Sequence, residues 1–206
     1  MLALVLTAGG CVTGTRTIQT TVPETTSAVD ARGTVFLGDI ADKRSFEENA
    51  SQADVPSVRG KLSETTPEQR AHLIGRQRNG FGKAMGDLEL ANNATVQQEI
   101  RRLLEAGFAA RGYAVSNTPN ADVKVTTGIK KFWAWFRPGF WKIGFDTDIA
   151  CDITVDGANG SRRLNVVGNG LNNGQIASDA NWQLSLDRAY SDFLKNLNTA
   201  LEQAGY

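Results

Sequence analysis

One histidine and two cysteines in 206 residues are too few for a zinc cluster, a disulfide framework or a catalytic centre built on histidine. Charge of one sign is also missing: 22 basic residues stand against 22 acidic ones. The chain therefore lacks the general attraction for nucleic acid that a basic protein carries, and any charged partner must be met by a local patch. The apolar run at residues 2–8 is far too short to span a bilayer. Most enzyme classes are disfavoured and no cofactor or metal is called for. With 41% hydrophobic and 21% charged residues, the composition is that of one ordinary domain with tails.

The N-terminus is informative. Leu2-Ala3-Leu4-Val5-Leu6-Thr7-Ala8 leads into Gly9-Gly10-Cys11, an apolar h-region followed by small residues directly before a cysteine. This resembles the bacterial lipobox, which implies cleavage after residue 10 and acylation (palmitate among the chains) of Cys11. The basic n-region of such a peptide is missing ahead of Leu2, which points to a start codon upstream of Met1. Val12 follows the cysteine where an aspartate would mark inner-membrane retention, so the motif implies an anchor on the periplasmic face of the outer membrane. Seven threonines between Cys11 and Asp30, with few apolar side chains, predict a flexible tether over residues 11–32. Its reach as a coil is on the order of 25 Å.

The remainder, 33–206, reads as a single periplasmic α+β domain. Gly33-Thr34-Val35-Phe36-Leu37 opens a strand over 33–41 that ends in Asp42-Lys43-Arg44. Residues 45–92 lack sustained periodicity and read as an irregular insertion, apart from a short helix at Thr66-Pro67-Glu68. Val96, Ile100, Leu103, Leu104 and Phe108 mark an amphipathic helix that starts near Thr95 and closes at Gly112. Residues 141–155 alternate, with Phe145, Ile149, Cys151, Ile153 and Val155 on one face and Asp146, Asp148 and Asp152 on the other. Asn159-Gly160 predicts a tight turn that sets Val155 opposite Leu164 and Asp156 opposite Arg163. A three-residue loop at Arg137-Pro138-Gly139 would pair Trp135 with Trp141. Trp182, Leu186, Tyr190, Phe193, Leu197 and Leu201 mark a long final helix capped near Ser178. The expected order is β-α-β-β-β-α, an antiparallel meander with two helices packed on one face.

These features, with the lipobox cysteine, Asp42-Lys43-Arg44, Ala110-Arg111-Gly112-Tyr113-Ala114-Val115 and Ala121-Asp122-Val123, resemble the YajG-like family of uncharacterised bacterial lipoproteins. The resemblance implies an α+β lipoprotein domain of unassigned activity and carries over no catalytic residues.

Seven of the sixteen aromatic residues fall between Phe132 and Phe145, accompanied by Lys130, Lys131, Arg137 and Lys142. Parity puts Trp133, Trp135 and Trp141 on the core face and Phe132, Phe136 and Phe140 outside. A hairpin apolar on both faces cannot be satisfied by one core. Phe132, Trp133, Trp135, Phe136, Arg137, Phe140 and Trp141 are therefore the expected contact with a membrane interface or an envelope protein partner. The alternative is that residues 45–92 cover this face. A second reading is a periplasmic ligand-binding or hydrolytic protein using 45–92 with Asp146 and Asp148; a third is a ring-forming oligomer. Arg76-Gln77-Arg78-Asn79-Gly80-Phe81-Gly82-Lys83 resembles an anion-cradling glycine loop but lacks nucleotide-site spacing, so a well-packed turn with solvated arginines is preferred to a phosphate site. His72 has no second ligand nearby, and Cys151 reads as a small core hydrophobe.

Overall fold

The structure is a computed structural model that describes residues 14–24, 30–79, 83–137, 139 and 141–206. The signal peptide, Cys11 and Phe140 lie outside these residues. In chain order the elements are β1 (Arg16–Ile18), β2 (Gly33–Asp42), β3 (Glu47–Glu48), β4 (Ser57–Val58), α1 (Pro67–His72), β5 (Leu73–Arg78), β6 (Ala84–Leu90), α2 (Val96–Ala110), β7 (Tyr113–Ser116), β8 (Val123–Arg137), β9 (Ile143–Gly157), β10 (Gly160–Gly174) and α3 (Asp179–Gln203).

The caps form where the sequence places them. Thr66 and Thr95 each accept from the backbone N–H three residues on, while Gln69 and Gln98 return the bond, so both helices start with a complete capping box. The Ser178 hydroxyl accepts from the Asn181 N–H to open α3.

The sheet is mixed, not wholly antiparallel. β8 pairs antiparallel with β9, and β9 with β10, but β2 runs parallel to β7 and β8, β5 parallel to β8, and β1 parallel to β6. The 45–92 segment is not an irregular insertion. Its β5 and β6 are strands of the main sheet, and the expectation failed because β5 is buried almost throughout yet carries Arg76 and Gln77, which erases any apolar period.

The described part of the expected tether is also structural. β1 joins the sheet edge beside β6, Ile18 is buried, and the buried Thr20 hydroxyl donates to Glu99 at 2.9 Å. Pairing with an open edge and burying Ile18 offset the entropy that a threonine-rich segment would otherwise keep.

Two registers differ from expectation. The β9–β10 turn lies between Gly157 and Gly160, so Val155 faces Arg162, Ile153 faces Leu164, and Asp156 faces Ser161. The shift is two residues, so every side chain keeps its face. In β8 the change is more consequential. The ladder pairs Ile129 with Cys151 and then Lys131 with Ala150, leaving Lys130 as a bulge. One extra residue reverses the parity beyond it. Val123, Val125 and Ile129 point into the main core, and so do Phe132 and Ala134.

That core lies between the sheet and the helices α2 and α3. On β10, Gly168 and Gly170 let the α3 backbone lie directly on the strand: a methyl group at Gly170 would strike the Ser185 carbonyl, and one at Gly168 the Ala189 carbonyl. A smaller cluster on the opposite face joins Trp133, Val58 and Leu73, with Phe46, Leu62 and Trp135 around it.

Candidate functional site

The bulge divides the aromatic stretch between two cores. Phe132 is fully buried in the main core, edge-on to Tyr190 with centroids 6.2 Å apart. Trp133 is fully buried on the other face, edge-on to Phe46 at 6.0 Å, and its indole N–H donates to the Ala53 carbonyl at 3.1 Å. Neither can meet a partner, which corrects the expected contact at these two positions. The 44–62 segment covers this part of the hairpin, as the alternative reading had it.

Trp135 and Phe136 are half-buried. The Lys131 ammonium sits 5.0 Å from the Trp135 ring centroid, a cation–π contact, and Phe136 packs edge-on to Trp182 at 6.2 Å. Strand pairing continues to Phe136–Phe145 and Arg137–Gly144. The turn is therefore longer than three residues, and Trp135 faces Asp146 rather than Trp141. Arg137 grips Asp146 through two bonds of 2.8 and 3.0 Å, which raises the guanidinium further above its ordinary range. Beyond it Trp141 is 85% exposed, beside the exposed Lys142.

The β8–β9 tip shares its end of the sheet with several other features. β5 is parallel to β8 with Gly75 level with Ala134, so Arg78 lies toward the tip, and the chain re-enters the sheet there at Lys83 and Ala84. β1 runs parallel to β6, and the Gly14 N–H reaches the Met85 carbonyl at 3.4 Å, so the chain toward Cys11 leaves at this same end. β10 also finishes here, Gly174 pairing with Ile143, and is followed by Ile176, 69% exposed. Arg16 ties this end together through an ion pair to Asp179 at the start of α3, 2.5 Å long.

The other flagged groups have ordinary structural partners or environments. Asp148 pairs with Lys131 at 2.9 Å and Asp152 with Lys130 at 3.8 Å, so these carboxylates, like Asp146, belong to a charge-matched sheet surface. Cys151 is buried in the main core, and desolvation pushes its thiol far above the usual range, the opposite of a nucleophile. His72 ends α1 with Nδ1 2.8 Å from the Ala94 carbonyl.

The arginines of the 76–83 segment are not simply solvated. Arg76 is 2% exposed, with Nε on Asp87 at 3.0 Å and Nη1 on the Val58 carbonyl at 2.6 Å. Together with Arg59, Arg78 and Lys83 it lines a cleft of about 560 Å³. In the sequence, 76–83 is weighed as an anion loop and read as a turn; Arg59, which comes from a distant segment, is missed. The alternation of Arg76 and Arg78 on one face of a strand was the signal available.

Fold and surface together define a small α+β domain with a curled mixed sheet, two helices in its main core, and a tip that gathers exposed apolar and basic side chains. The family model described as "Uncharacterized lipoprotein" matches residues 62–205, and the chain belongs to that YajG-like family of lipoproteins, which implies a membrane-anchored protein. A solved structure of protein XCC0632 from Xanthomonas campestris, of the DUF330 family, superposes with a TM-score of 0.50 at 13% identity, covering 92% of this chain and 96% of the other. Another, titled only as an uncharacterized protein, gives a TM-score of 0.44 at 7% identity over 91% of this chain and 97% of that one. No curated protein matches the chain. Among the described residues no helix is long and apolar enough to cross a membrane.

Proposed function

We propose that the protein is a non-enzymatic lipoprotein, held by acyl chains on Cys11 at the periplasmic face of the outer membrane, whose domain serves as an accessory or scaffold piece and rests its β8–β9 tip on that membrane. The observation that carries this reading is the shared end of Gly14 and Trp141. Two residues, Val12 and Thr13, separate Gly14 from Cys11, a distance of at most about 11 Å. An acylated Cys11 would therefore hold this end against the lipid, in place of a domain swinging on a long tether. Exposed Trp141 and Ile176 with Lys142 are the side chains that suit an interface: indole at headgroup depth, the ammonium at phosphates. Cys151 and the paired Asp146 and Asp148 offer no activated nucleophile or free carboxylate pair, which supports a non-catalytic role.

The test has two parts. Mass spectrometry of the N-terminal peptide, from protein expressed behind a full-length signal peptide in a Gram-negative host, should find acyl chains on Cys11 and none in Cys11→Ser. Flotation of the Cys11→Ser protein with anionic vesicles should show weak binding that Trp141→Ser abolishes without changing the fold. Binding unchanged by Trp141→Ser, with retention by an envelope complex instead, would transfer the tip's role to a protein partner.

A further inference from the structure

The cleft beside the tip gathers positive charge. Arg59, Arg76, Arg78 and Lys83 line it together with Asn49 and Ser51. Asp87 engages Arg76 through Nε. We propose that this cleft is a binding site for a phosphate-bearing anion, held by these four cations.

Arg76 carries the argument. Its guanidinium is almost fully buried and fixed by Asp87 and the Val58 carbonyl, yet Nη2 is buried with no hydrogen-bond partner. A buried charged donor left unmet keeps its full desolvation cost, and folds rarely retain one without use. An anion oxygen in the cleft would satisfy it. Arg78 lies two residues on along the same strand face, with Nη2 on the Gln52 carbonyl at 3.3 Å. Burial, and secondly the charge of Arg76, hold the Arg78 guanidinium below its ordinary value, a mutual repulsion that a bound anion would relieve. Arg59 and Lys83 are exposed at the rim, placed to admit and close over the ligand.

The chemistry narrows the ligand. The buried Arg76 Nη2, with the Arg78 guanidinium beside it on the same strand face, suits the oxygens of a phosphate group, and the Ser51 and Asn49 side chains can bond the remaining ones. The cations and hydroxyl and amide groups of the lining recognise the phosphate group itself. A free phosphate ion and a phospholipid headgroup present the same group, and the cleft's position at the tip end brings both within reach.

Isothermal titration of the full-length Cys11→Ser chain at low ionic strength, first with inorganic phosphate and then with monomeric dihexanoyl-phosphatidylglycerol, tests this. Binding of either that weakens about tenfold or more in Arg59→Gln/Lys83→Gln supports the site, since each rim cation supplies a charge-assisted contact. Both rim residues are exposed, so thermal melts of the variant should match the parent. Tighter binding of the lipid assigns the site to a headgroup; equal or tighter binding of phosphate assigns it to the free ion. No binding of either at about 10 mM, or binding unaffected by the double substitution, overturns the proposal. That result would leave the tip reading standing, because Trp141 is not part of the cleft.

Discussion

Arg44 donates from Nη1 to the Phe132 carbonyl at 3.0 Å, and from the same nitrogen to the Leu73 carbonyl at 2.6 Å. These bonds close a gap in the sheet. Along one edge of β8, β2 pairs as far as Ile129 and β5 joins at Ala134. Between them the edge would expose unpaired carbonyls, and the guanidinium fills the notch, with Nε and Nη2 on the Asp42 carboxylate and its carbon 4.9 Å from the Phe46 centroid.

Replacing Arg44 by methionine keeps the volume but leaves Asp42 with only the backbone N–H of residue 44, and the Leu73, Phe132 and Arg70 carbonyls without their donor. The expected loss is about 3 kcal/mol, or roughly 10 °C in Tm for a domain of this size. Arg44→Lys should recover little, because one ammonium cannot reach Asp42, Leu73, Arg70 and Phe132 together. Thermal melts of both variants check this.

Glu99, buried in α2, accepts from Tyr190 at 2.7 Å and from Thr20 at 2.9 Å through the same oxygen. Burial, then the Glu99 charge, raise the Tyr190 phenol well above its ordinary 10.0. The folded state thus holds this proton more tightly than the unfolded one, so the associated stability is complete below pH 10 and is lost above it. Tyr190→Phe should cost about 1–2 kcal/mol at pH 7 and flatten the loss of stability seen in alkaline titration.

At the acid end, Asp122 accepts from the Thr34 N–H at 2.7 Å and the Thr34 hydroxyl at 2.8 Å, joining the starts of β2 and β8. Those bonds lower its pKa below 3.8. The stability they add is present above that value and is lost as the pH falls through the folded-state pKa. Asp122→Asn should remove this part of the acid dependence below pH 3.8 in melts followed by circular dichroism.

The two tryptophans of the hairpin should separate fold from function. Trp133→Ala opens a cavity under the 44–62 segment and should cost about 3–5 kcal/mol. Trp141→Ala, at an exposed position, should change stability by less than about 0.5 kcal/mol while removing vesicle binding. Urea melts read alongside flotation distinguish them.

How much of this was legible in the sequence depends on where parity survives. In β9 the alternation of Phe145, Ile149, Cys151, Ile153 and Val155 identifies the core face directly. The β9–β10 register moved by two residues without harm, since a strand repeats every two. In β8 one bulged residue, Lys130, exchanged the faces of Phe132, Trp133, Trp135 and Phe136, and neither composition nor spacing marks a bulge. β5 escaped notice for a different reason. Its Gly75 is required by close approach of the Ala134 carbonyl, and its buried Arg76 is offset by Asp87, both consequences of neighbours far away in the chain. Parity set Trp141 on the core face with Trp133; Trp141 is instead 85% exposed because the ladder ends at Arg137–Gly144, and Trp133 is buried by cover that comes from residues 46–62.

The orientation of the domain is the central claim, and depth-dependent fluorescence quenching tests it most directly. A fluorophore attached through Gln175→Cys, exposed beside Ile176 at the tip end, and in a second sample through Ala158→Cys at the opposite end of β9, would be compared in acylated protein reconstituted in vesicles with lipid-borne quenchers. Cys151 is buried and should not label. Strong quenching at 175 with none at 158 is the predicted result. Equal quenching at both positions, or quenching confined to 158, would contradict the account.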